Sequence, residues 1–263
     1  MIDDASSLLR TLDLEQLDSD LFVAPPGGFG WQRTFGGQVV AQALRAAVLT
    51  VDPGRQVHSL HSYFIRGGRL AEPVHLEVTR TRDGGSFSTR SVTAVQEGKP
   101  IFELMASFQD QQPGEDWQAA TPPSVPGPDA LDPVDFGVLT STFDVRPVNG
   151  PRSDWSPVSH PFWFRVTEPV GDDPAMHTCL LAYMSDLVVV RAAASPVLRE
   201  EPTTRASLDH AVWFHRIPRV DEWLLCDINP AAHIGQRGLA QGSMLTADGT
   251  LVASIAQEAL LRP

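Results

Sequence analysis

The stretch from Ala175 to Ala194, AMHTCLLAYMSDLVVVRAAA, constrains this 263-residue chain more than any other. It stays apolar for roughly four or five turns, with no glycine or proline inside. The pattern predicts a helix that is apolar on every side, and such a helix has to be enclosed by the rest of the fold. One carboxylate, Asp186, interrupts it. A buried carboxylate is costly unless it is hydrogen-bonded or paired, and an unpaired one shifts its pKa toward the neutral form. Leu181, Val188 and Val189 flank Asp186, so it is read as a functional acid and not as a residue on the helix's wet edge.

An earlier stretch, TFGGQVVAQALRAAVLTV (34–51), has the same build: Gly36 and Gly37 open it and Asp52-Pro53-Gly54 closes it. Four strand-like segments follow, at 57–66, 74–82, 86–96 and 100–109, broken by Gly67-Gly68, Asp83-Gly84-Gly85 and Glu97-Gly98. One long helix followed by consecutive antiparallel strands gives a sheet that curls around that helix. The second helix is likewise followed by strands near 207–216, 222–229, 234–246 and 250–261. Aligning YFIR (63–66) with WFHR (213–216) gives an offset of 150 residues, and Gly98 with Gly249 one of 151. At the first offset Gly36 falls on Asp186, which predicts duplicated units that have divided their tasks.

Ahead of the first unit, residues 5–17 predict a short helix with Leu8, Leu9, Leu12 and Leu17 on one side, and 20–23 a short strand. Between the halves, residues 113–161 hold ten of the 22 prolines and read as a surface linker that docks through Phe136, Phe143 and Trp155. A strand at 162–166 follows it. The expected division is an N-terminal unit over 1–112, the linker over 113–161 and a C-terminal unit over 162–263.

The formal net charge of −12 argues against a nucleic-acid surface, which needs clustered basic residues. Two cysteines, Cys179 and Cys226, make neither a disulfide framework nor a metal-ligand spacing, and Cys179 reads as an inert buried thiol. No metal is expected. The acidic start MIDDASSLLRTLDLEQL lacks a signal peptide's basic and apolar regions, and no charge-free apolar run spans a membrane. A soluble, cytoplasmic protein is expected.

FGGQVVAQAL (35–44), HSLHSYFIRGG (58–68), YMSDL (183–187), SLDHAVWFHR (207–216), EWLL (222–225) and VASIAQEALLR (252–262) resemble the acyl-CoA thioesterase II (TesB-like) family. The resemblance runs from LLRTLDLEQL onward, with only the proline-rich middle unmatched. It implies an α+β double hotdog fold, two long central helices each wrapped by an antiparallel sheet. It also implies hydrolysis of an acyl-CoA thioester to a free acid and coenzyme A, with no cofactor beyond the CoA carried by the substrate. By the same resemblance the acid is Asp186, the hydroxyl residue Ser207 and the glutamine Gln257, all in the C-terminal unit, together holding the attacking water. Many family members carry Thr where this chain has Ser207, which leaves the hydroxyl but drops the methyl that restricts χ1. Analogy with other hotdog proteins adds a homo-oligomer.

In residue terms, Asp186 is the base that takes the water's proton, and Ser207 and Gln257 aim its lone pair. No G-x-S-x-G elbow surrounds Ser207, which argues against a covalent serine mechanism. The amino-terminal turn at Gly36 and Gly37 is the candidate donor to the thioester oxygen. His58 is a secondary substrate-binding candidate, while His61, His210 and His215 read as ordinary hydrogen-bonded histidines. Asp209 is the rival acid, since on a regular strand it shares a face with Ser207. Arg66, Arg82, Arg205, Arg216 and Arg237 are candidates for the CoA phosphates. Two other readings are an enoyl-thioester hydratase or dehydratase working through Asp209-His210, and a non-catalytic acyl-thioester binding module.

Overall fold

The computed structural model describes residues 2–28, 33–135, 139–149, 161–187, 189–194 and 203–262. Phe136, Trp155 and Val188 lie outside the described residues. The expected helix at 5–17 is shorter: α1 covers Ala5–Arg10, capped by Asp4, and β1 (Glu15–Asp18) takes up its end. β2 (Leu21–Ala24) follows, and then α2 (Gly36–Val48). All of α2 from Gly37 to Leu44 is buried, as small residues on every side require, and its two glutamines reach backbone carbonyls of Gly27 and Thr11. β3 (Gln56–Phe64), β4 (Val74–Asp83), β5 (Phe87–Gln96) and β6 (Lys99–Gln109) form the sheet around it.

β7 (Phe143–Pro147) and β8 (Phe162–Val166) open the second half. β7 falls inside the stretch expected to be linker. Buried Phe143 and Val145 give it a core-facing side, and it pairs with β8. Then come α3 (Pro174–Ser185), α4 (Val189–Ala192), β9 (Thr204–Ser207), β10 (Asp209–Phe214), β11 (Leu224–Ile234), β12 (Arg237–Thr246) and β13 (Leu251–Arg262). The single helix expected over 175–194 is two. Asp173 caps α3 at its start, where Pro174 occupies the first turn, and Asp186 closes it. The segment Pro174–Ala192 has the length and hydropathy of a membrane-crossing helix, but every residue of α3 from His177 to Ser185 is buried within the fold.

The described strands join in one antiparallel sheet of order β1-β2-β4-β5-β6-β3-β10-β13-β12-β11-β8-β7, with β9 added on β13. The halves meet at β3 and β10, Asp209 opposite Tyr63 and Trp213 opposite Ser59. Each half lays its helix against its own strands, in the double hotdog arrangement. The hairpin between β11 and β12 turns at Gly235-Gln236, both at positive φ, later than the break expected between 229 and 234. Pro230 is accommodated at a register shift inside β11.

α2 and α3 pack antiparallel. Arg45 near the end of α2 pairs with Asp173 at the start of α3 (3.7 Å), and the start of α2 meets the end of α3. A Cβ on Gly37 would overlap the Tyr183 carbonyl, so only glycine permits this approach. Gly36 and Asp186 are therefore not equivalent positions in two copies of one helix. Gly36 starts α2, Asp186 ends α3, and the two face each other.

Candidate active site

The C-terminal position of Asp186 on α3 turns its side chain toward the first turn of α2. A Cβ on Gly36 would lie 2.6 Å from Asp186 Oδ2, so the glycine makes room for the acid. The Gly37 N–H, the Gln257 side chain and the Ser207 side chain all hydrogen-bond to the Asp186 carboxylate. Oδ1 has no hydrogen-bond partner among the described residues. Asp186 is only 5% exposed, and burial raises its pKa to about 7; the three hydrogen bonds oppose that rise without cancelling it.

Gln257, on β13, is completely buried and donates from Nε2 to Ser207 Oγ at 2.9 Å. On its other side Gln257 Oε1 is 2.5 Å from His210 Nδ1, and His210 Nε2 is 2.7 Å from Ser185 Oγ. Ser207 thus accepts from Gln257 and donates to Asp186. Those two bonds hold its hydroxyl in place of the missing methyl.

A bulge aims these side chains. Ser207 pairs with Ala259 and Ala211 with Ala256, so four steps on one strand match three on the other. The extra residue turns Ser207 and His210 to the same interior side and takes Asp209 off it. Asp209 instead accepts the Glu258 N–H at 2.7 Å, half-buried, its pKa raised chiefly by burial. The shared face expected for Ser207 and Asp209 does not form, because regular alternation does not survive a bulge.

A cavity of about 990 Å³ opens over Asp186, lined also by Phe35, Gly36, Leu187, Val190 and Ser207. Arg33, Arg191 and Arg205 stand along its wall, with Asp135 as an acid among them. Among the described residues no group of histidines, cysteines and acids could hold a metal ion.

The sequence around this site compares closely with proteins of one kind. A family model described as "Acyl-CoA thioesterase" matches residues 146–260, and one described as "Acyl-CoA thioesterase N-terminal domain" matches 25–109. Human "Acyl-coenzyme A thioesterase 8" is 38% identical over 98% of this chain and 90% of its own length. "Acyl-CoA thioesterase 2" of Haemophilus influenzae is 33% identical over 100% and 99%. The crystal structure of an acyl-CoA thioesterase II from Mycobacterium marinum is 46% identical, covering 97% of this chain and 98% of that one at a TM-score of 0.84. The chain belongs to the acyl-CoA thioesterase II (TesB-like) family. It is an acyl-CoA thioesterase, a hydrolase of the double hotdog fold.

Of the site residues expected in this thioesterase, Asp186, Ser207 and Gln257 come together from α3, β9 and β13. Gly36 lines the same cavity, and Gly37 contributes its N–H to Asp186. His58 is not brought there. It lines a separate cavity of about 760 Å³ with His215 and Arg216, its ring 2.8 Å from Ser107 Oγ, and burial lowers its pKa. Burial pushes the Cys179 thiol up to about 12, consistent with an inert core residue. Among the expected arginines only Arg205 lines the active-acid cavity. Arg66 binds the Pro100 carbonyl, Arg216 that of Leu251, and Arg237 pairs with Glu258. His210, expected as an ordinary hydrogen-bonded histidine or as the partner of Asp209 in a hydratase, instead contacts Gln257, and the sequence offers no sign of Arg33 and Arg191. Only the fold brings those two arginines near Asp186.

Proposed function

We propose that this thioesterase hydrolyses its acyl-CoA substrate with a water activated by Asp186 and oriented by Ser207 and Gln257. What carries the reading is the convergence of one acid, one hydroxyl and one amide from three separate elements beside a cavity. Water at neutral pH must lose a proton as it attacks, and a base with a pKa near the working pH serves best. Asp186, raised to about 7, meets that condition. Its unpartnered Oδ1 takes the proton while the oxygen forms a bond to the thioester carbonyl carbon. The tetrahedral intermediate then breaks its C–S bond, and the proton on Asp186 passes to the departing CoA sulfur. The carboxylate is restored and the free acid leaves.

Charge that develops on the thioester oxygen meets the first turn of α2. Phe35 supplies no side-chain cap there, and with the Gly37 N–H given to Asp186, the Gly36 N–H is the donor assigned to the oxyanion. Arg33, Arg191 and Arg205 give a strongly acidic protein a local basic wall, the part of the cavity suited to the CoA phosphates. A covalent serine mechanism finds less support, since among the described residues no imidazole contacts Ser207. The hydratase reading is disfavoured because Asp209 is held by the Glu258 N–H and His210 by Gln257 and Ser185. The test is thiol release over a panel of acyl-CoA chain lengths with Asp186→Asn as control. That variant should lose about 10²-fold or more in kcat; near-normal turnover would refute Asp186 as the base.

A further inference from the structure

We propose that His210 is a positioning residue for the hydrolysis, holding the Gln257 amide with its nitrogen toward Ser207 and Asp186. The inference rests on the catalytic reading above and extends it to a residue beyond the substrate cavity.

A primary amide has two ends of nearly equal size, and a buried one settles in whichever orientation its neighbours favour. In one orientation Gln257 gives N–H groups to the Ser207 oxygen and the Asp186 carboxylate. In the other it presents a carbonyl oxygen to an anion and to the lone pairs of a serine. Ionised Asp186 favours the first orientation, but Ser207 can rotate its hydroxyl to suit either. The opposite end of the amide supplies the second constraint. There Oε1 meets His210 Nδ1 at 2.5 Å, and His210 and Gln257 are both completely buried.

His210 can act this way only as one tautomer. Burial lowers its pKa to about 4, so at neutral pH the ring carries a single N–H. Ser185 Oγ donates to the Ala182 carbonyl at 2.8 Å and lies 2.7 Å from Nε2, and its one hydrogen can serve only one of these two acceptors at a time. When Ser185 donates to Nε2, the ring's proton is on Nδ1, Gln257 accepts at Oε1, and the amide N–H groups face the acid. The opposite tautomer sends every bond in the chain the other way and leaves Asp186 facing an oxygen. The ionised acid and the Nδ1–H tautomer therefore select each other. The bulge after Ser207 puts His210 in register for this contact, which gives that irregularity a purpose.

Single and double variants and one spectrum test the proposal. His210→Leu should lower kcat on the order of 10- to 10²-fold, the scale of a misplaced catalytic group, with KM for acyl-CoA little changed. His210→Asn returns an amide nitrogen near the Nδ1 position and should recover most of the loss, which a purely space-filling role would not predict. In a Gln257→Ala background, His210→Leu should cost almost nothing further, because the two act as one unit. The ¹⁵N spectrum of the unmodified enzyme should show His210 protonated at Nδ1 and bare at Nε2. The opposite tautomer, a folded His210→Leu with undiminished kcat, or additive losses with Gln257→Ala would each overturn the assignment. If Asp186→Asn and Gln257→Ala also turn over normally, the catalytic reading itself has failed; if only they lose activity, this inference alone has.

Discussion

Replacing Asp186 by asparagine should stabilise the protein as it inactivates it. The folded state raises the Asp186 carboxyl from an unperturbed 3.8 to about 7, chiefly by burial. Each pH unit between the two values corresponds to about 1.4 kcal/mol, so ionised Asp186 costs the native state up to about 4 kcal/mol. The sign follows from proton binding. Below about pH 4 both states hold the proton and the cost vanishes. From there to about pH 7 the unfolded chain releases the proton that the native protein keeps, and the cost grows until it is complete above pH 7. Asparagine is neutral throughout: its oxygen replaces Oδ2 as acceptor for Gly37, Gln257 and Ser207, and its nitrogen replaces the unpartnered Oδ1. At pH 8 the variant should melt higher by on the order of 10 °C, from roughly 2–4 °C per kcal/mol for a chain near this size. The gain should shrink toward zero by pH 4. Calorimetry of both proteins from pH 4 to 8 measures it. A difference in Tm that is constant with pH, or a variant less stable than the parent at pH 8, refutes the claim that this acid is ionised at the fold's expense.

Three further outcomes are expected. kcat/KM should fall as pH drops below about 7, along a one-proton curve, because protonated Asp186 cannot accept from water; a profile flat down to pH 5 contradicts this. Ser207→Ala should lose about 10-fold in kcat, less than Asp186→Asn, and intact-mass measurements during turnover should find no acyl-enzyme. Gly36→Ala should lower kcat by pushing Asp186 Oδ2, 2.6 Å from the new Cβ, whereas Gly37→Ala meets the rigid Tyr183 carbonyl. The second should cost about 1–3 kcal/mol of stability by urea denaturation, the usual scale of overpacking; equal effects of the two on activity and stability would contradict their different neighbours.

The two enclosed helices were legible in the sequence because an apolar surface on every side admits only burial, and the hairpins because Gly and Asp mark turns. Asp186 stands out as a charge in an apolar run. Ser207 and Gln257 do not; only the family resemblance marks them, since a serine and a glutamine on strands are unremarkable by composition. The failures have definite causes. Alternation assumes a regular strand, so it misses the extra residue at Leu208-Asp209 and puts Asp209 on the face of Ser207. The internal repeat aligned Gly36 with Asp186 by constant offset, whereas the connection from helix to strand is longer in the second half. Arg33 and Arg191, far apart in the chain, meet only across the cavity.

The antiparallel helix pair also explains why one end is built for the proposed chemistry. At that end α2 presents Gly36 and Gly37 and α3 ends in an acid, so the positive end of one helix faces a carboxylate on the negative end of the other. Burial opposes ionisation, while hydrogen bonds from Gln257, the Gly37 N–H and Ser207 favour it, which leaves Asp186 titrating near neutrality. At the opposite end the roles are exchanged but the residues are not. α2 closes at Leu49, not at an acid, and α3 opens with Pro174, which has no N–H to offer an oxyanion. Asp173 there is half exposed and paired with Arg45, and the cavity beside it is about 250 Å³ against about 990 Å³. A duplicated fold offers two such ends, and in this chain one half supplies the helix start while the other supplies the acid, the hydroxyl and the amide. Neither half holds a complete set, so the proposed site depends on both remaining in one sheet.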